Sequence, residues 1–447
     1  MNTVFLCLLA SAVWCASPTV DPTTLKGKVM FGYQGWFNTP NDVTSQGFRH
    51  WSTSLSTVDA STVRVDMWPD TSEYNQSLLY NTGFTFPNGT VAKLFSSQYP
   101  STIDLHFKWL YDYNLDGFFL QRFLSELGDY VFFMQRNRVI QNCMASAQKW
   151  GRTFAIEYDV SGIDTSVLVQ KLKDDWTYVT NTLNATKSSR YLKQDGKPVV
   201  VIWALGYSGR SDTPQNAIDI ANYFKSVGCF VIVGVPITWK FGSGENQPGF
   251  DQAYLAFDGI TPWSVGRPTD QNAIYNNHNF FTLREQNYTQ AYNKWFAPTL
   301  FPGFSWANMN PGAPFNAISR RNGTFFKYQA DIILSMNSTE KTFVFIAMFD
   351  EVDEGTAMFK ISSSAANTPT QKPFVTTSTD GMNLPSDTYL RLAGDFTVKY
   401  RAKAGVVYDP TPTPTPTSTL IVSNSGWSLK YSPSLVMLCI LLCLAYY

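Results

Sequence analysis

Residues 341–360 read KTFVFIAMFDEVDEGTAMFK, and this stretch restricts the fold more than any other. Its first half, residues 342–348, is apolar, rich in β-formers and free of charge, the pattern of a strand buried on both faces. Four acids then arrive within five residues, Asp350, Glu351, Asp353 and Glu354, followed by Gly355 and Thr356. Carboxylates crowded where a buried strand ends repel one another, so their proton affinities rise unless something compensates. Such crowding is expected where a chain does chemistry.

Strand and helix patterns alternate from residue 28 onward. Strands are expected at 29–35 (VMFGYQG), 117–123 (GFFLQRF), 153–160 (TFAIEYDV), 198–204 (PVVVIWA), 230–239 (FVIVGVPITW), 256–263 (AFDGITPW) and 299–306 (TLFPGFSW), with the opening stretch as the eighth. Helical patterns fall at 128–150, 165–182 and 214–227, an amphipathic stretch at 102–113, and a closing helix with a Ser or Asp cap at 386–404. Eight apolar, polar-tipped strands joined by helices predict an α/β fold, a (β/α)8 TIM barrel spanning residues 18–405 as one catalytic domain with long βα loops. A doubly wound open sheet is the alternative. There is no internal repeat and no sign of a second domain.

In such a barrel the active site sits where the strands end. The polar or aromatic tips are Tyr33 and Trp36; Gln121 and Arg122; Glu157 and Asp159; Trp203; Trp239; Trp263 and Arg267; Trp306 and Asn308; Glu351 and Glu354. Aromatics make up 15% of the chain, with 13 Trp and 23 Tyr, and flat rings are what sugar faces stack on. Arg, Gln and Asn can take hydroxyls, and acids can move protons. The long Ser/Thr/Asn/Pro-rich excursion after the first strand adds His50, Trp51 and Asp66 as candidate substrate contacts, and Asp353 joins from the acid cluster. For Glu157 and Asp159 an ion pair to Arg122 or Arg152 is the competing reading; for Asp66 it is a loop-stabilising hydrogen bond, and for His50 a satisfied structural histidine.

Glu351 and Glu354 are three apart, so a segment that turns helical at once would project them from one face. One carboxyl would be held protonated by its neighbour's charge, dividing the pair into acid and base. Cleavage of a glycosidic bond needs such a division. Formal net charge is zero, so nothing points to nucleic acid or an anionic membrane surface. The only histidines, His50, His106 and His278, are not spaced as ligand pairs, and no phosphate-cradling loop, nucleophile elbow or reactive-Cys signature stands out. Neither a metal nor a cofactor is expected.

The run Phe349-Asp350-Glu351-Val352-Asp353-Glu354-Gly355-Thr356 resembles the Asn-Glu-Trp-His-Glu-Gly-Thr motif of glycoside hydrolase family 99, the endo-α-mannosidases. The wider chain resembles the family 71/99-like group often labelled xylosidase/arabinosidase. That resemblance is carried by residues 31–36 (FGYQGW), 49–51 (RHW), 66–70 (DMWPD), 119–123 (FLQRF), 157–159 (EYD), 261–267 (TPWSVGR) and 303–306 (GFSW). It implies a TIM barrel and retention without a covalent enzyme intermediate. The first Glu of the motif deprotonates the sugar's own 2-hydroxyl, which attacks to give a 1,2-anhydro sugar. The second Glu protonates the leaving oxygen and later activates water. On this chain Glu351 would be the base and Glu354 the acid/base. Where the motif has Asn, Trp and His, this chain has Asp350, Val352 and Asp353, so a preference for mannan or N-glycans is not carried over.

Both ends read as processing signals. Residues 4–14 (VFLCLLASAVW) resemble the apolar part of a secretory signal over 1–17, cleaved after Ala12 or between Cys15 and Ser17. Residues 406–422 form a Pro/Thr-rich stalk. Residues 423–447 match a glycosylphosphatidylinositol attachment signal, with Asn424 as the attachment site: small residues, a polar spacer and a tail too short to span a bilayer. Sequons at Asn75, Asn88, Asn184, Asn287, Asn322 and Asn337 agree with secretion. Outside the two signals only Cys143 and Cys229 remain, as one disulfide or as two buried thiols. The chain reads as a monomeric, secreted glycosidase of α-linked glycans at the outer face of the plasma membrane, touching the membrane only through a lipid. The competing readings are a non-catalytic carbohydrate-binding surface protein on a hydrolase scaffold and, third, a structural wall protein.

Overall fold

A computed structural model of the chain describes residues 18–337 and 340–407. The signal segment, most of the stalk and the attachment signal with Asn424 lie outside the described residues.

The chain enters the core with β1 (Val29–Tyr33), five residues buried without exception. The excursion that follows contains an antiparallel hairpin, β2 (Tyr80–Thr85) and β3 (Val91–Leu94), and ends in α1 (Pro100–Asp112). Then come β4 (Gly117–Phe123), α2 (Tyr130–Trp150) and β5 (Thr153–Asp159). Helix α2 starts where the Asp129 carboxylate accepts the Val131 and Phe132 N–H groups, and stops at Gly151, whose φ of 60° continues no helix. The middle of the chain holds α3 (Leu168–Asn181), β6 (Lys193–Gln194), β7 (Lys197–Trp203), α4 (Pro214–Ser226) behind a Thr213/Asn216 capping box, and β8 (Phe230–Pro236). After α5 (Phe250–Ala253) come β9 (Gly259–Trp263), α6 (Gln271–Asn277), α7 (Leu283–Ala291), β10 (Trp295–Phe296), β11 (Thr299–Leu300), α8 (Thr324–Ser335), β12 (Val344–Ile346) and α9 (Thr388–Lys403).

The parallel strands pair in the order β10-β9-β8-β7-β5-β4-β1-β12-β11. Pro298 divides one strand into β10 and β11. Its first half pairs with β9 and its second with β12, and this closes the ring. The result is a (β/α)8 barrel, with the helices outside. Cys143 and Cys229 are buried free thiols. No helix among the described residues is long and apolar enough to cross a membrane.

One expectation changes. The seventh strand lies over 295–300 rather than 299–306, because the proline that breaks its ladder also hides it from pattern reading. Helices α6, α7 and α8 and the β2–β3 hairpin occupy stretches that carried no clear period. Among the sequons, Asn75, Asn88, Asn287 and Asn337 are exposed, whereas Asn184 and Asn322 are half-buried. The Asn322 amide is engaged with Asp380 and Met382.

Candidate active site

Paired residues of parallel strands share a face. The ladder pairs Gln121 with Glu157, Asp159 with Trp203, and Trp203 with Gly234, and these positions face the barrel interior. A Cβ at Gly234 would lie 2.4 Å from the Trp203 ring, so only the bare glycine lets that ring cross β8. It thereby meets Trp263 of β9 edge-on at 5.3 Å, and Trp263 reaches Phe345 of β12 at 6.2 Å.

The alternate residues face the helices, which corrects several candidates. Tyr33 points outward, where its hydroxyl meets His106 of α1 at 2.8 Å and its ring stacks on Phe118 at 4.4 Å. Arg122 also points outward and binds both oxygens of Asp175 on α3 at 2.6 Å. Neither can reach a ligand in the barrel. Trp51 is core, its indole N–H on the Phe95 carbonyl, and Trp239 is core between Tyr254 and Tyr288. Trp36 is half-buried between His50 (3.9 Å) and Phe123 (5.1 Å), so neither of its faces is left to stack on a sugar. Asp66 and Asn308 hold a loop. The Asp66 carboxylate accepts the Ala307 and Asn308 N–H groups, each at 2.8 Å, and the Ser305 hydroxyl at 2.5 Å, while the Asn308 side chain donates to the Val65 carbonyl. Their work is to carry half-buried Trp306. Arg267 sits on the rim in an ion pair with Glu245.

The acid cluster occupies a turn, not a helix. The N–H groups of Thr356 and Ala357 both return to the Glu351 carbonyl, at 3.2 and 2.9 Å. Gly355 has φ 64°, and a Cβ there would stand 2.7 Å from the Ser305 nitrogen. The turn packs so closely on the loop that Asp66 holds that the Ser305 N–H donates to the Glu354 carbonyl. Asp350 is fully buried, and its two carboxylate oxygens accept the Gln34 and Gly35 N–H groups at 2.8 and 2.9 Å, tying the end of β12 to the end of β1.

Glu351 and Glu354 differ in their surroundings. Glu351 accepts hydrogen bonds from the Gln34 amide (2.8 Å) and the Thr356 hydroxyl (2.6 Å). Burial raises its pKa, these two donors pull it back, and Asp159 pushes it up. Glu354 is raised well above the carboxylate range by burial and by the charges of Glu351 and Asp353. Asp353 is raised in the same way, first by burial and then by Glu351. Burial also pushes Asp350 up to about 7 and Asp159 to about 6. Glu157, wholly buried, is raised well above its ordinary value.

Sequence reasoning missed Gln34, Thr356 and Tyr207. Tyr207 stands 5.6 Å from the Trp203 ring, with Asp159 among the charges that face it. Gln34 was in reach, since it shares a face with Gly32, the ladder partner of inward Phe119. Both Glu157 oxygens, Gln121 Oε1, Asp353 Oδ1, Trp203 Nε1 and Tyr207 Oη are buried without a hydrogen-bond partner among the described residues. Buried polar atoms are ordinarily paired, so this concentration marks a candidate binding site.

No family model and no curated relative matches the chain. Solved structures do. A GH99 endo-alpha-mannosidase from Bacteroides thetaiotaomicron, in complex with bis-tris propane, aligns over 86% of this chain and 99% of its own at 16% identity and a TM-score of 0.60. A second structure of the same enzyme aligns over 85% and 99%, also at 16% identity, with a TM-score of 0.61. In fold, the chain is similar to these mannosidases. At that identity the likeness establishes the barrel.

Proposed function

We propose that the protein is a glycoside hydrolase of α-linked glycans whose 2-hydroxyl lies trans to the leaving group, as in mannan rather than glucan, with Glu351 as base and Glu354 as acid. The carrying observation is the unequal setting of two neighbouring glutamates at the barrel mouth. Burial raises both carboxyls, but two donors offset the rise at Glu351, whereas Glu354 sits against two acids, so Glu351 is the one to give up its proton first. Ionised Glu351 takes the proton of the substrate's 2-hydroxyl as that oxygen attacks C1. Glu354 gives its proton to the departing oxygen as the C1–O bond breaks. The product is a 1,2-anhydro sugar; Glu354, now a carboxylate, deprotonates the water that opens it at C1, and Glu351 returns a proton to the 2-oxygen. Two inversions give net retention. The route needs a 2-hydroxyl anti to the leaving group, as in α-mannosides, and the solved neighbours, endo-alpha-mannosidases, agree with that substrate class.

The test is hydrolysis of a panel of α- and β-linked polysaccharides by the protein and its Glu351→Gln and Glu354→Gln variants. Wild type should release sugar of retained configuration from an α-linked member, and each variant should lose about a thousandfold. Binding without release by wild type would make the protein a lectin on a hydrolase frame. Secretion and a lipid anchor at the outer face of the plasma membrane complete the proposal, resting on the composition of the two ends.

A further inference from the structure

Beside the glutamates stands a layered column. The Arg136 guanidinium lies 5.2 Å over the Phe123 ring, Phe123 stacks on Trp36 and Trp36 on His50. The column touches the reacting end through Gln34, whose carbonyl accepts from Arg136 (3.5 Å) and whose amide donates to Glu351. Arg49 adjoins His50 in sequence, and the Arg64 N–H donates to the carbonyl of Trp51, the residue after His50. Charges from Arg136, Arg64 and Arg49 all bear on His50 and, after burial, help keep it neutral.

Among the described residues only one of these three cations has an ion-pair partner. Arg136 pairs with Glu126. Arg64 faces Asp353 electrostatically without a direct ion pair among the described residues. Arg49 rests on the Phe132 ring at 5.1 Å, with its Nε buried and unpartnered. Half-buried guanidiniums without oxyanion partners cost desolvation, and their planar donor forks fit carboxylate, sulfate and phosphate. A neutral glycan gives no reason for two such groups beside the cleft. We propose that Arg49 and Arg64, at the His50 end of this column, bind an anionic substituent of the glycan: a uronate, sulfate or phosphate ester. The inference rests on the glycan-cleaving reading of the site.

The experiment measures binding by calorimetry, and kcat/KM wherever turnover occurs. The ligands are one neutral α-mannooligosaccharide and the same oligosaccharide bearing a uronate, a sulfate or a phosphate. At least one charged form should bind about tenfold better than the neutral one, and salt at about 0.5 M should erode the gain. The charged-to-neutral ratio should fall to near one in Arg49→Gln/Arg64→Gln and recover in part in Arg49→Lys/Arg64→Lys, with melting temperatures checking the fold. Equal binding of charged and neutral forms by wild type overturns the proposal, as does a preference that survives the glutamine pair. Free sulfate or phosphate binding as tightly as the substituted glycan overturns it too, as an adventitious ion only. If neutral glycans are cleaved and charged ones gain nothing, this inference alone fails; if no glycan binds, the reading of the site fails with it.

Discussion

Glu157 shows at the scale of one residue what the cleft costs. Its carboxyl is wholly buried with neither oxygen paired, so folding favours its protonated form. Asp159 and Asp350 behave alike, with folded values of about 6 and about 7. Each folded pKa lies above the unfolded one, near 4. Between the two the native state holds protons that the unfolded chain has released, so stability falls as pH rises through that window. For the two aspartates the contribution is fully present below about pH 4 and lost by about pH 7. The melting temperature should therefore be higher at pH 5 than at pH 7.5. Glu157→Gln, which needs no proton, should melt a few degrees above wild type at pH 7.5, with the gap closing toward pH 4.5. A wild-type profile that rises with pH across this window would contradict the account.

At the scale of the element, the acid turn is held by backbone geometry. Gly355→Ala meets both a left-handed φ and the Ser305 backbone, and should cost on the order of 3 kcal/mol. Thermal unfolding would measure that loss, and kcat should fall further than glycan affinity, because the turn sets Glu354 rather than the aromatic walls. An unchanged kcat would separate the turn from the chemistry. The turn's position was legible: apolar 342–348 running into four acids could only be a core strand opening on a cleft. Its shape was not, because spacing of three suits a helix and a tight turn equally. Most strands and helices showed within a few residues of their ends, as period and apolar runs are local properties. Which of two neighbouring polar tips turns inward was hidden. A strand buried on both faces has no polar side to betray its phase, so Gln121 and Arg122 looked equivalent until the ladder separated them. The same blindness admitted Tyr33 and passed over Gln34.

For the whole molecule, the described barrel accounts for residues 18–337 and 340–407, and the proposed attachment to the membrane rests on the chain that follows. Phosphatidylinositol-specific phospholipase C should release the protein from cells expressing the full chain; protein that stays bound with its C-terminal tail still detectable would rule the lipid anchor out. Within the barrel, one aromatic contact depends on an omission. Gly234 carries no side chain, and the Trp203 indole occupies the room this leaves. Any larger residue there would force the indole to shift. The place of one indole beside Asp159 is thus set by a side chain that the neighbouring strand leaves out.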